Sequence, residues 1–183
     1  MSMPNGEHAR QANLLGALAL AIAERVEAAT QEAAGQGGSA PAALAALSEF
    51  LDGASIDTLR RPLRLTHSAA VRLTDRLADA GLVRREPGAD ARSVSIRLTP
   101  EGRRAAARVM AEREEALRAV LEPLDGGDRI ALASVSEKLL AGLTTGRSAA
   151  RHICRMCDGD ACGHPQGRCP VTRAADRAES AAA

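Results

Sequence analysis

Between residues 66 and 104 the spacing of apolar residues changes from a helical period to a strand period and back. Thr66 precedes a segment whose apolar residues recur at helical spacing, and Gly81 follows that segment as a helix-terminating glycine. Residues 94–98 then alternate between apolar and polar, as in a half-buried strand. This order predicts a helix that is followed directly by a β-hairpin.

Helices are also predicted on both sides of this unit. Ser39, Ser55 and Thr99 stand where helix-capping residues are expected, and Pro62 is expected to interrupt a helix. Residues 144–153 are predicted to be a linker. The predicted helices cover residues 8–34, 41–52, 56–61, 67–80, 100–124 and 129–143, and the predicted strands cover residues 83–85 and 94–98.

Charge is unevenly distributed along the sequence. The net charge of the whole protein is only +1, but residues 1–58 carry −5 and residues 59–104 carry +6. The second of these segments holds 11 arginines. A local excess of arginine neutralises DNA phosphates even where the protein as a whole is nearly neutral.

The basic helix and hairpin have the order of a winged helix-turn-helix. Such a helix enters the DNA major groove with its N-terminal residues near the base edges, and the hairpin contacts an adjacent minor groove. The competing interpretation is that these arginines only solvate a helical face. The order of capped helix, glycine stop and basic hairpin favours DNA binding. The residues predicted to contact DNA are Thr66, His67, Ser68, Arg72 and Arg76 in the helix, and Arg85 and Arg92 in the hairpin.

Three segments resemble the MarR family of bacterial transcription regulators. Residues 70–85 read AVRLTDRLADAGLVRR, residues 90–92 read DAR, and residues 98–102 read LTPEG. They occur in the order and at the spacing of that family's recognition helix, wing and following helix. The resemblance covers about residues 8–145 and implies a winged-helix DNA-binding lobe over residues 40–100.

The resemblance also assigns roles to individual residues. It implies that Ala69 lies on the recognition helix, beside the residues named above. It further implies that Asp90 braces Arg92, which reaches the minor groove. The family usually has an arginine where this protein has Ala91, so one contact of the wing is not expected here.

A homodimer is implied by the same resemblance, because in that family the first helix and the last two helices pair across a two-fold axis. Independently, residues 8–34 and 101–145 carry apolar stripes that a DNA-reading lobe does not obviously need. The alternative is that these stripes form core within one protomer. Two-fold symmetry would place two recognition helices about one DNA turn apart, on a pseudo-palindromic operator in double-stranded DNA.

All four cysteines lie within residues 152–170, at the spacing C-x2-C-x4-C-x6-C. Four thiolates complete a tetrahedral shell, and three glycines in the segment let the backbone fold back around an ion. A segment this short has no hydrophobic core of its own, so a metal would supply its folding energy. The predicted ligands are Cys154, Cys157, Cys162 and Cys169, with His164 as an alternative third ligand.

Three chemistries compete for these cysteines. A structural zinc ion is the first expectation, since two thiolates separated by two residues grip one ion from a tight turn. An iron–sulfur cluster is the alternative, because Cys169-Pro170 after three clustered cysteines resembles ferredoxin-like ligation. Thiol–disulfide switching is the third, whereas disulfides as mere staples are unusual in a cytosolic protein.

The predicted fold is therefore mainly α, with a β-hairpin wing, a helical dimerisation region and a short cysteine-rich metal-binding appendage. Residues 171–183 are predicted to be a flexible tail. The predicted function is a dimeric, sequence-specific DNA-binding transcription regulator, a repressor rather than an enzyme. We expect it to be cytoplasmic and not to associate with membranes, since no apolar run approaches the roughly 18 residues of a membrane span and no secretory signal is seen.

The cysteines and the scarcity of aromatic residues bear on the alternative functions. A thiol–disulfide or electron-transfer protein would use Cys154 and Cys157, but no βαβ pattern surrounds them. An RNA-binding zinc knuckle is disfavoured, because no aromatic residue near the cysteines can stack on a base. Members of the resembled family often bind phenolic or other small anions. With aromatic residues at 1% and neither Tyr nor Trp, such an effector pocket would be aliphatic and arginine-lined, so the cysteines are the other expected sensor, of metal or redox state.

Overall fold

Eight helices and one two-stranded antiparallel sheet make up residues 5–88 and 94–182, which are the residues described by this computed structural model. None of the described helices is long and apolar enough to cross a membrane. In sequence order the elements are α1 (Asn5–Ala34), α2 (Ala40–Glu49), α3 (Ile56–Leu63), α4 (His67–Asp79), β1 (Val83–Pro87), β2 (Val94–Leu98), α5 (Pro100–Leu121), α6 (Gly126–Leu143), α7 (Arg147–Ile153) and α8 (Pro170–Ala182).

The mainly helical architecture with a small hairpin confirms the predicted fold class. Its main core lies where α2 packs against α1, α3, α5 and β2. Residues 40–47 of α2 are all buried, and each of them is alanine, proline or leucine. Because small side chains let neighbouring elements approach closely, this alanine-rich helix forms the centre of the lobe.

The helix-turn-helix consists of α3 and α4, and both helices begin at the expected capping residues. Ser55 Oγ accepts a hydrogen bond from the backbone N–H of Thr58 at 3.2 Å, and Thr66 Oγ1 accepts one from Ala69 at 3.2 Å. These bonds satisfy donors that a helix N-terminus otherwise leaves unpaired. Ser39 differs, since its side chain makes no capping hydrogen bond to α2.

Pro62 lies inside α3, whereas the sequence predicts an interruption there. A proline removes one backbone donor, and α3 ends one residue later at Leu63. Arg64 then turns the backbone with a left-handed φ of 53°. The effect of the proline is therefore confined to the last turn of the helix.

The wing is formed by β1 and β2, paired in the register Val83↔Leu98 to Pro87↔Val94. Strand β1 extends beyond the predicted residues 83–85, because each of its five residues has a partner on β2. Ala54 adds an isolated antiparallel bridge to Ile96, which joins the wing to the loop before α3. Residues 89–93, between the strands, lie outside the described residues. The interpretations of Asp90, Ala91 and Arg92 therefore stay predictions.

The break between α5 and α6 lies three residues earlier than the sequence predicts, at residues 122–125 instead of 125–128. Helix α5 ends at Leu121, and α6 begins at Gly126 instead of at residue 129. Asp125 is the reason, because its carboxylate accepts a hydrogen bond from the backbone N–H of Asp128 at 2.8 Å. This cap recruits two glycines and an aspartate into the first turn of α6.

The segment that follows α6 is more ordered than the linker and the flexible tail predicted for it. Helix α7 occupies most of residues 144–153, and α8 occupies residues 170–182, packing against α6 and α7. Val171, Ala174 and Ala175 are buried at helical spacing, with the polar residues of α8 on its other side. The expected tail is therefore a docked amphipathic helix, and Arg147 fastens it through Asp176 at 2.7 Å and Glu179 at 2.8 Å.

The start of α5 contacts the turn between α4 and β1 at very short range. The backbone carbonyl of Leu82 accepts a hydrogen bond from Thr99 N at 3.0 Å, and the Thr99 hydroxyl donates to the neighbouring Gly81 carbonyl at 2.6 Å. Thr99 Oγ1 in turn accepts a bond from Gly102 N at 3.0 Å. A Cβ atom on Gly102 would lie 1.8 Å from the Leu82 carbonyl oxygen, so only glycine fits this position.

We expect Gly102→Ala to lower the free energy of unfolding by about 1–3 kcal/mol, because the added methyl group collides with backbone that cannot rotate away. Gly16→Ala is the matched control, since a Cβ at Gly16 in α1 meets nothing within 4 Å. It is expected to stabilise the helix by about 0.5–1 kcal/mol. Urea denaturation followed by circular dichroism measures both, and equal midpoints for the two variants would contradict the close approach.

Candidate nucleic-acid interface and cysteine cavity

Helix α4 has a buried face and an exposed face that divide its residues as predicted. Ala70, Leu73, Thr74 and Leu77 are buried in the lobe, and the hydroxyl of Thr74 donates to the Ala70 carbonyl at 2.8 Å. Val71 is only half-buried. The predicted contact residues lie at the surface: His67, Ser68 and Arg76 are exposed, and Thr66, Ala69 and Arg72 are at least partly exposed.

The N-terminus of α4 is held in place by a small polar network. The Asp57 carboxylate accepts a hydrogen bond from Arg60 Nε at 2.7 Å and lies 3.4 Å from His67 Nδ1. The hydrogen bond from Arg60, followed by the one from His67, holds the pKa of Asp57 below its usual range. The network orients an imidazole at the end of the helix that the helix dipole makes attractive to anions.

The arginines of this surface differ in their ion pairs. Arg85 of the wing pairs with Asp75 of α4, so it links the wing to the recognition helix. Arg97 pairs with Glu86 at 2.9 Å and also with Asp52. Arg72 and Arg76 form no ion pair with any described residue, which leaves two guanidinium groups available on the outer face of α4.

Two helices carry apolar side chains at the surface of the single protomer. Helix α6 has no buried residue at all among its 18 positions. The N-terminal half of α1 is similarly exposed, with Leu14 and Leu18 near half of their maximal exposure. These apolar stripes, which a lone protomer leaves in water, consist of Leu14, Leu15 and Leu18 of α1 and Leu132, Val135, Leu139 and Leu143 of α6.

The four cysteines line one cavity of about 350 Å³, here called the cysteine cavity. Cys154 directly follows α7, and Cys169 directly precedes α8, so two short helices position two of the thiols. Cys169 is buried, and the other three cysteines are half-buried. The four predicted ligands are therefore brought together, with His164 also on the cavity wall and its Nδ1 3.0 Å from Thr172 Oγ1.

The thiols interact in two pairs, Cys154 with Cys157 and Cys162 with Cys169. A hydrogen bond from Cys154 lowers the pKa of Cys157 to about 6, and the charges of Arg113 and Arg155 act in the same direction. The same bond, with burial, raises the pKa of Cys154. Burial first, and then the bond to Cys169, raises the pKa of Cys162 to about 11. Within the described ranges, no three His, Cys, Asp or Glu side chains are close enough to hold one metal ion as they stand.

The cysteine segment is docked on the helix-turn-helix lobe. His152 Nδ1 lies 2.7 Å from the backbone carbonyl of Pro62 in α3, and Met156 packs against the main core. Glu49 and Phe50, at the end of α2, form the opposite wall of the cysteine cavity. Burial, and then the nearby aspartates of the cysteine segment, raise the pKa of Glu49.

The contacts of the cysteine segment with α2 and α3 are the part of the site that the sequence does not reveal. His152 and Pro62 are 90 positions apart, and no spacing rule connects them. The sequence offers one indirect signal, Met156, which is an apolar residue in a mostly polar and glycine-rich segment.

Solved structures with this fold include several MarR-family proteins. A MarR family protein from Bacillus stearothermophilus is 25% identical, over 75% of this protein and 96% of its own length, with a TM-score of 0.64. A MarR family protein from Mycobacterium tuberculosis is 28% identical, over 69% of this protein and 91% of its own length, with a TM-score of 0.57. A MepR mutant of Staphylococcus aureus bound to an oligodeoxyribonucleotide is 18% identical, over 73% and 97%, with a TM-score of 0.56.

The protein therefore has the MarR-type winged-helix fold, as the sequence motifs predict. No protein-family model matches the sequence, and no curated protein is significantly similar to it. The solved structures match over almost their full lengths but over only about three quarters of this protein. This fold accounts for the winged-helix lobe and its flanking helices.

Proposed function

We propose that the protein is a dimeric DNA-binding transcription regulator that acts as a repressor. The observation that carries the proposal is the outer face of α4, where Arg72 and Arg76 extend from a capped helix without an ion pair to any described residue. An arginine held in this way keeps its donors available for phosphate or for the edge of guanine. The MarR-type fold supplies the scaffold that presents this helix to a major groove.

Each group on this face has a distinct task. Thr66, His67 and Ser68 lie at the positive end of the helix dipole and are suited to a phosphate at the groove edge. Arg72, one turn further along the helix, is suited to a bidentate contact with guanine. Arg85 is held by Asp75, so we assign it to fixing the angle between wing and helix, with a DNA contact only through its remaining donors.

The dimer is proposed from the apolar stripes of α1 and α6. Leu18 and Leu139 remain 48% and 44% exposed in the single protomer, within rows of similar side chains. A second copy of the protein supplies a matching apolar surface, and burial of the exposed half of each such leucine contributes about 1 kcal/mol. A two-fold pair would set two copies of α4 about 34 Å apart, which suits a pseudo-palindromic operator. A dimer seated on promoter DNA represses by blocking access to it.

Modulation of DNA affinity is proposed to come from the cysteine cavity. Its walls are shared between the cysteine segment and the end of α2, and His152 joins the segment to α3. Helix α3 packs directly on α4. A change in what the cysteines bind would alter this wall and shift α3, and thereby the angle at which α4 meets DNA.

We expect Arg72→Ala to weaken binding to the DNA upstream of the protein's own gene by about 5- to 150-fold at fixed salt, the equivalent of about 1–3 kcal/mol. Arg118→Ala is the matched control, because Arg118 is an exposed arginine on α5 that pairs with Glu115 at 2.6 Å. It removes the same charge and is expected to leave affinity unchanged. Gel shifts over a range of salt concentrations measure both affinities. If the two variants lose DNA affinity equally, Arg72 contributes only its positive charge, and the proposed contact with guanine is wrong.

We expect His152→Ala to uncouple the cysteine segment from DNA binding without unfolding either. The ratio of DNA affinities between protein as purified and protein treated with a chelator should fall toward one, because the bond to Pro62 is lost. Arg173→Ala, an exposed change on α8, should preserve the wild-type ratio. If His152→Ala also preserves that ratio, the proposed route through α3 is wrong.

A further inference from the structure

We propose that the thiolates of Cys154, Cys157, Cys162 and Cys169 hold one iron–sulfur cluster in the cysteine cavity. This cluster would be the group through which the cysteine cavity modulates DNA affinity. Only that regulatory role rests on the proposed function; the metal site itself does not. The first observation is placement: four thiols from 16 consecutive residues line a single cavity of about 350 Å³. The sequence holds no other cysteine, so this convergence uses every thiol available.

The spacing of the thiols favours a cluster over a single zinc ion. Zinc–sulfur bonds of about 2.3 Å in a tetrahedron bring all four sulfurs to about 3.8 Å from one another. In the described residues the thiols approach as two pairs, and no group of three is close enough to hold one ion. A cluster gives separate iron atoms to separate thiolates, so it suits thiols that interact in two pairs.

The surroundings of the cavity suit an anionic, water-sensitive group. Phe50, Leu51 and Ala150 line it with apolar surface, and Cys169 is only 2% exposed. The positive charges of Arg113 and Arg155 act on Cys157 from outside. Apolar walls limit access of water to a cluster, and cationic neighbours offset the net negative charge of four thiolates.

The helices beside the cavity add a fixed frame. Cys154 is the C-terminal capping residue of α7, and Cys169 precedes the first turn of α8, whose N-terminal dipole stabilises a thiolate. These two helices pack on each other, and Ala150 of α7 joins Val171 and Ala175 of α8 in one small apolar cluster with Cys169. The segment between them has little apolar content, so the bound cluster supplies the interactions that fix its shape.

Loading of this site balances without any change of oxidation state. Each of the four thiols loses its proton to solvent and forms one sulfur–iron bond, while ferrous and ferric iron and inorganic sulfide come from outside the protein. The step therefore releases four protons and oxidises no residue of the protein.

The experiment is metal analysis of the full-length protein purified without air, followed by anaerobic reconstitution with ferrous iron, ferric iron and sulfide. We expect a brown protein with visible absorption, iron and acid-labile sulfide in equal amounts, and bleaching on exposure to air. Zinc bound at one ion per protomer with no iron after reconstitution would overturn the proposal. So would a colourless protein that binds neither metal.

Variants assign the ligands. Cys157→Ser and Cys162→Ser, one from each pair, should each lose the visible absorption and most of the iron. Ala161→Ser is the matched control, because it places the same hydroxyl beside Cys162 on an exposed residue and should keep the cluster. Circular dichroism separates ligand loss from unfolding. If both cysteine variants retain iron while folded, the four-thiolate ligand set is wrong.

The outcomes are independent of DNA binding. Protein that holds the cluster but fails to bind DNA would contradict the proposed regulator and leave the metal site standing. Protein that binds DNA without ever holding iron would contradict the cluster and leave the regulator standing.

Discussion

The backbone carbonyl of Leu82 is the point at which the three parts of the DNA-reading lobe are joined. It lies at the end of the turn after α4, it precedes β1, and it accepts the backbone N–H of Thr99 at the start of α5, while the Thr99 hydroxyl donates to the adjacent Gly81 carbonyl. Because Gly102 has no side chain, the first turn of α5 packs directly against the Leu82 carbonyl. The angle between recognition helix, wing and long helix is therefore set by backbone contacts, which leave few alternatives of similar energy.

A second constraint comes from the helices that this lobe does not use. Helix α5 packs its buried face on α1 and α2, but α6 has no buried residue and the first half of α1 is exposed. Apolar stripes of this length are costly in water. The proposed dimer follows from this cost, and it also gives the two copies of α4 the fixed spacing that a symmetric operator needs.

The sequence predicts those parts of the fold whose signals are local. Ser55 and Thr66 are expected as caps and make those bonds, and the alternation of residues 94–98 marks β2. Helix α8 is missed because its stripe of Val171, Ala174 and Ala175 consists mainly of alanine, a residue whose burial depends on what packs against it. The start of α6 is also missed, because Asp125 caps the helix. The two glycines after Asp125 favour a loop in the sequence but lie in the first turn of the helix.

In the candidate sites, too, the sequence predicts what depends on local signals and misses what depends on long-range packing. The outer face of α4 follows from helical period alone, so the sequence places Ser68 and Arg72 on that exposed face. The convergence of the four cysteines is expected from their spacing, but the contribution of α2 and the bond from His152 to Pro62 depend on long-range packing. The tip of the wing, with Arg92, lies outside the described residues and stays a prediction.

Hydroxyl-radical footprinting on the DNA upstream of the protein's own gene tests whether a two-fold dimer presents two copies of α4 to one duplex. Such a dimer gives two protected patches on one face of the duplex, with centres about one helical turn apart and related by an approximate inverted repeat. A single protected patch, or none at protein concentrations that saturate nonspecific DNA, would contradict it.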